Sequence, residues 1–74
     1  MKYIIYLQLN TGREGYFTGE WNDGTPKISS NIIYGVRYPS YNAAKSKALR
    51  LKEYLKRKYS RPNIVYWEIC KLIA

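Results

Sequence analysis

Few residues of this chain have the chemistry that catalysis needs. The sequence contains no histidine and one cysteine, Cys70, so the usual metal-ligand sets and a Cys/His catalytic pair are missing. Glu20 and Asp23 lie around one turn, but no histidine, second acid pair or glycine-rich phosphate loop joins them. Cys70 lies in the apolar run NIVYWEICKLIA, which is typical of a buried small hydrophobic residue. We therefore expect a protein that is not an enzyme and uses no metal or cofactor.

Glu68 is the single acid within that apolar run. Two arrangements are open for its carboxylate: it points to a solvent-facing side of a sheet, or it pairs with Lys2 or Arg37 on a neighbouring strand. Neither arrangement implies catalysis.

Positive charge is concentrated in one segment of the chain. The formal net charge is +8, and residues 40–61 (SYNAAKSKALRLKEYLKRKYSR) hold eight of the 13 Lys and Arg residues against one acid, Glu53. Such a segment favours polyanions or an acidic protein surface. The candidate partner-binding residues, called the basic helix surface below, are Lys45, Lys47, Arg50, Lys52, Lys56, Arg57, Lys58 and Arg61.

The same segment has the pattern of an amphipathic helix. Pro39 keeps its predecessor out of a helix, Ser40 is a good N-cap residue, and Pro62 ends the helix near residues 60–63. Lysines outnumber arginines five to three and spread around the polar circumference, which favours phosphate or acidic-surface contact over base reading. The alternative is a helix that its lysines merely keep soluble. The predicted core stripe is Tyr41, Ala44, Ala48, Leu51, Leu55 and Tyr59.

Several extended segments precede this helix. Lys2–Leu9 alternates as a strand, a turn with two glycines follows, and Tyr16–Trp21 returns as the second strand of a hairpin. Lys27–Ser29 is predicted as a short extended piece, and Ile32–Tyr38 as the stronger third strand. Gly35 within that third strand predicts a bulge or a close backbone approach.

The last strand completes the predicted fold. Asn63–Ile73 is apolar on both faces, so we expect it to be central in the sheet and to lie beside the first strand. The element order is β-β-β-α-β, an α+β two-layer domain with a three- to four-stranded, mainly antiparallel sheet and one long helix on one face. Seventy-four residues make a single domain, and without a long apolar run we expect a soluble intracellular protein.

One helix covers only one face of such a sheet. The other face is then open to water or covered by a partner, and it is the predicted place for an aromatic interface. The main candidates are Tyr6, Tyr34 and Tyr66, and the further candidates are Ile4, Phe17 and Trp21.

The string GYFTGEW, followed by TPKIS and YGVRYPSYNAAKSKA, resembles a pattern in small uncharacterised proteins of bacteriophages and mobile elements of low-G+C bacteria. The matching elements are Tyr16–Trp21, Arg37-Tyr38, Ser40 and the alanine-bearing start of the helix, within about residues 15–50. They are fold-forming positions and transfer no site. The resemblance implies a phage-encoded binding protein in the cytoplasm of a bacterial host, with anti-CRISPR-like inhibitors of host defence among its relatives.

Three functions follow as hypotheses. The leading one is a non-enzymatic interaction protein that docks its basic helix surface on a nucleic-acid-handling or defence protein of the host and modulates or inhibits it. The second is direct binding of DNA or RNA, with low sequence selectivity, through the same surface. The third is a homodimeric module that buries the open sheet face, and it is compatible with either of the others.

Overall fold

The computed structural model describes residues 2–22, 24–57 and 62–73. The order of the secondary-structure elements in these residues confirms the predicted α+β fold, with one α-helix packed on one antiparallel sheet. The elements are β1 (Lys2–Leu9), β2 (Glu14–Asn22), β3 (Thr25–Ser29), a 3₁₀-helix (Ile32–Tyr34), α1 (Tyr41–Arg57) and β4 (Ile64–Leu72).

The sheet has the strand order β3-β2-β1-β4, and every neighbouring pair is antiparallel. Strand β4 lies beside β1, as predicted, but it is an edge strand and not a central one. Its apolar character on both faces was misleading, because α1 packs against one face while Tyr66, on the other face beside Tyr6, remains 44% exposed. The central strand that is buried on both faces is β1, where Ile4, Ile5 and Leu7 are fully buried.

The prediction that Ile32–Tyr38 forms the third strand is wrong, because the third strand of the sheet is Thr25–Ser29. Residues 32–34 form a 3₁₀ turn in which the Asn31 side chain accepts a hydrogen bond from the Ile33 amide at 3.0 Å. The Arg37 guanidinium donates to the carbonyl oxygens of Ile33, at 3.0 Å, and Gly35. These local hydrogen bonds satisfy backbone groups that a strand would have paired with a neighbour.

Residues 35–38 instead fill a gap inside the sheet. Strands β1 and β2 pair directly only where Tyr6, Leu7 and Gln8 lie opposite residues 14–16. Beyond that point the Val36 amide donates to the Phe17 carbonyl at 2.9 Å, and Tyr38 exchanges two backbone hydrogen bonds with Tyr3.

The predicted close backbone approach at Gly35 is present in this segment. A Cβ atom at Gly35 would lie 3.3 Å from the Tyr16 Cβ and 3.4 Å from the Ile4 Cγ2. Glycine therefore lets the chain pass close to these two side chains, on the sheet face opposite α1, where it enters the gap, and this helps to explain why Ile4 is fully buried.

The core lies between α1 and the sheet. The Ser40 hydroxyl accepts a hydrogen bond from the Ala43 amide at 3.1 Å, which confirms the predicted N-cap. Ala44, Ala48, Leu51 and Leu55 are buried as predicted, whereas Tyr41 is exposed at the start of the stripe, and Tyr59 lies outside the described residues. The remaining core residues come from the strands: Ile5, Leu7, Leu9, Phe17 and Ile64.

Candidate functional site

The buried stripe of α1 determines where the basic helix surface points. Because Ala44, Ala48, Leu51 and Leu55 face the sheet, the rest of the circumference is turned toward solvent. Of the predicted residues, Lys45, Arg50, Lys52 and Lys56 are exposed, Lys47 is half-buried and Arg57 is the last residue of α1. Lys58 and Arg61 lie outside the described residues.

The two flanks of α1 face different parts of the sheet. At 100° per residue, Lys45, Lys52 and Lys56 fall on one flank, while Lys47, Arg50 and Tyr54 fall on the other. The Tyr54 ring lies 5.3 Å from the ring of Trp21 in β2, so its flank faces the β2 side of the sheet. The three-lysine flank therefore faces the β4 edge.

Trp21 and Tyr54, called the aromatic pair below, join the sheet to the helix. Trp21 also contacts the fully buried Phe17, with the ring centroids 6.5 Å apart. The suggestion that Phe17 and Trp21 lie on the open sheet face is therefore wrong. Strand alternation alone could not have indicated this, because the β2–β3 register shifts between Phe17 and Trp21 and because alternation does not say which face the helix covers.

The opposite sheet face does carry tyrosines. The Tyr6 ring lies 6.3 Å from Tyr66 on β4 and 5.8 Å from Tyr16 on β2, so three neighbouring strands contribute to one row of rings. Tyr34 is exposed in the 3₁₀-helix and lines a groove of about 390 Å³ with Thr18, Glu20, Lys27, Ile28 and Ser29. Ile4, the remaining predicted member, is fully buried and cannot contact a partner.

Glu68 also points to this open face, which decides between its two predicted arrangements. Its carboxylate accepts a hydrogen bond from the Tyr66 hydroxyl at 2.7 Å and lies 3.8 Å from the Cys70 sulfur. The hydrogen bond to Glu68 raises the pKa of Tyr66. Burial, and secondarily the negative charge of Glu68, raises the pKa of the Cys70 thiol. The thiol is therefore protonated at neutral pH, which suits a structural role.

The contact between Glu68 and Cys70 makes thiol reactivity a test of this arrangement. Glu68→Gln removes the negative charge, so we expect the pKa of Cys70 to fall while the part due to burial remains. The measurement is the rate of alkylation by iodoacetamide as a function of pH, where the midpoint should move to lower pH. The control is Glu20→Gln, which removes the same charge from β2 and should leave the midpoint in place. An unchanged midpoint in Glu68→Gln would contradict the contact.

Within residues 2–22, 24–57 and 62–73, no helix is long and apolar enough to cross a membrane. The same residues contain no group of three or more His, Cys, Asp or Glu side chains that could hold a metal ion.

Comparison with protein-family models, with curated proteins and with solved structures found no match for this chain. The resemblance to phage proteins therefore stays a prediction.

Proposed function

We propose that this protein binds nucleic acid directly, without catalysis and with low sequence selectivity, through the basic helix surface. The observation that carries the proposal is the exposure of Lys45, Arg50, Lys52 and Lys56 on a helix whose opposite side is anchored in the core. A rigid helix presents these cations with its backbone already ordered, so binding orders only side chains.

The low selectivity follows from the kind and placement of the cations. Lysine is a point charge that attracts phosphate without the planar fork that reads guanine edges. The cations also occupy both flanks of α1, whereas a recognition helix aims a defined front of side chains at the bases. Phosphate contact is the interaction that such a distribution favours.

The same charge argues against the leading sequence-based hypothesis in its simplest form. A groove that normally holds nucleic acid is itself positively charged, so it would repel a helix with six cationic residues and one acid. Docking on a nucleic-acid-handling host protein would instead need an acidic surface outside that groove. Direct binding needs no such further assumption.

The proposal predicts a steep dependence of affinity on salt. The logarithm of the observed binding constant for a labelled strand or duplex of about 20 nucleotides should fall linearly with the logarithm of the salt concentration between about 50 and 200 mM. Lys52→Gln with Lys56→Gln removes two phosphate contacts and should reduce the slope by about 1.4 for a single strand and about 1.8 for a duplex. Lys52→Glu with Lys56→Glu should nearly abolish binding. Fluorescence anisotropy measures both quantities.

A matched control separates this surface from net charge. Lys2→Glu with Lys71→Glu makes the same change in net charge on the exposed ends of β1 and β4, and should weaken binding much less. A flat salt response, or equal losses in both double variants, would overturn the proposal. Capture of one stoichiometric protein from a nuclease-treated bacterial lysate, with no oligonucleotide binding, would favour the host-protein hypothesis instead.

A further inference from the structure

The aromatic pair is an exposed feature that phosphate binding alone does not use. Trp21 is 41% exposed and Tyr54 is 43% exposed, and their rings meet at 5.3 Å with an interplanar angle of 73°. In such an edge-to-face contact, one ring touches the other with its edge only, so neither face of that ring is used by the contact. The pair thus combines ring surface open to solvent with a fixed geometry.

The core supports this pair from below. Phe17 is fully buried and meets the Trp21 ring at 6.5 Å and 75°. Trp21 lies opposite Pro26 in the β2–β3 register, and Tyr54 lies in the regular part of α1. Both rings are therefore held by ordered elements, which lowers the entropy cost of stacking a ligand on them.

Cationic side chains lie beside the rings on the same flank of α1. Arg50 precedes Tyr54 by four residues and Lys47 precedes it by seven, and both spacings place side chains on one side of a helix. Arg50 is exposed and Lys47 is half-buried. Proteins that bind single-stranded nucleic acid combine cationic side chains, which contact the phosphates, with aromatic rings, on which the bases stack.

A groove is lined by residues that neighbour Trp21. It has a volume of about 310 Å³, and its lining includes Asn22, which directly follows Trp21, and Pro26, which lies opposite it. Thr11, Arg13 and Lys27 add polar and cationic groups to the same groove. Cations are thus available on both sides of the aromatic pair.

We infer that the aromatic pair is a stacking platform for a base of single-stranded nucleic acid, with the flanking phosphates held by Arg50 and Lys47 on one side and Arg13 on the other. This inference rests on the proposed function and specifies its ligand. A duplex keeps its bases stacked inside and offers no free ring face, so the platform favours single strands over duplexes.

The test compares a single strand of about 12 thymidine nucleotides with a duplex of the same length, at one low salt concentration. Wild-type protein should bind the single strand more tightly. Trp21→Leu with Tyr54→Leu should weaken single-strand binding about tenfold, the size of one lost stacked base, and leave duplex binding unchanged. The control is Tyr34→Leu with Tyr66→Leu, which removes two exposed tyrosines elsewhere and should change neither affinity.

A second measurement leaves the platform intact. In Trp67→Phe the remaining tryptophan is Trp21, and stacking predicts that its fluorescence is quenched by the single strand but not by the duplex. Equal affinity for both ligands with no selective quenching overturns the inference and leaves the proposed function standing. If neither ligand binds, the proposed function fails and the inference falls with it. Binding to an acidic polypeptide such as polyglutamate, without binding to either nucleic acid, would overturn the inference and indicate that this surface binds an acidic protein.

Discussion

Phe17→Ala is expected to lower the free energy of unfolding by about 3–5 kcal/mol. Phe17 is completely buried in the cluster between the sheet and α1. Truncation removes most of the ring and leaves a cavity that the surrounding strands fill only in part. A chain of 74 residues has a total stability of roughly 4–11 kcal/mol, so this loss is a large fraction of the whole.

Urea denaturation followed by circular dichroism measures the change. Trp21 fluorescence, isolated in a Trp67→Phe background, is a second reporter, because the Trp21 ring contacts Phe17. Phe17→Leu keeps much of the volume and should cost clearly less. Val65→Ala removes an apolar side chain that is mostly exposed, and should stay within about 0.5 kcal/mol of wild type. A loss below about 1 kcal/mol in Phe17→Ala would show that Phe17 is not central to the core.

Gly15→Ala is the second substitution for which we expect a large effect. A Cβ atom at Gly15 would lie 2.6 Å from the carbonyl oxygen of Ser29 and 2.9 Å from its carbonyl carbon. Both are backbone atoms of β3, so relief requires that the β2–β3 pairing shifts and not merely that a side chain rotates. We expect a loss of about 1–3 kcal/mol or more in the free energy of unfolding.

Gly12→Ala is the matched control for this steric effect. Gly12 has a φ of +92°, and a Cβ atom added there would have no heavy atom within 4 Å. Alanine at this position would therefore be strained by its positive φ but would not clash with a neighbour. Its cost should be about 1–2 kcal/mol. Urea midpoints give both values, and backbone amide chemical shifts of β3 should move in Gly15→Ala but not in Gly12→Ala. Unperturbed β3 shifts in Gly15→Ala would refute the close contact.

The helix could be predicted in detail because its signals are local. Ser40 caps the first turn, Pro39 precedes it, and the apolar positions recur with helical spacing. A helix satisfies its backbone within one segment, so no distant partner has to be known. The outward direction of Lys45, Arg50, Lys52 and Lys56 follows from the buried stripe alone, which is why their exposure was predictable.

The third strand and the place of β4 were not predictable in the same way. Residues 32–38 have strand-forming side chains, but in the folded chain residues 32–34 form a 3₁₀ turn and residues 35–38 fill the gap between β1 and β2. Whether a segment pairs as a strand depends on which edge is vacant, and that depends on distant residues. The sequence of β4 also could not distinguish an edge strand from a central strand, because the helix that covers one face of β4 makes an apolar sequence suitable for the edge as well.

The sequence by itself determined the α+β element order, the amphipathic helix, the concentration of positive charge and the scarcity of catalytic residue types. Each of these depends on composition or on spacing within one segment. Only the tertiary structure decided that Trp21 of β2 meets Tyr54 of α1, that Glu68 lies beside Cys70 and Tyr66 on the open face, and that residues 35–38 complete the sheet. The physical reason is that strand register and helix docking bring together residues far apart in the chain, and these are set by packing of the whole core.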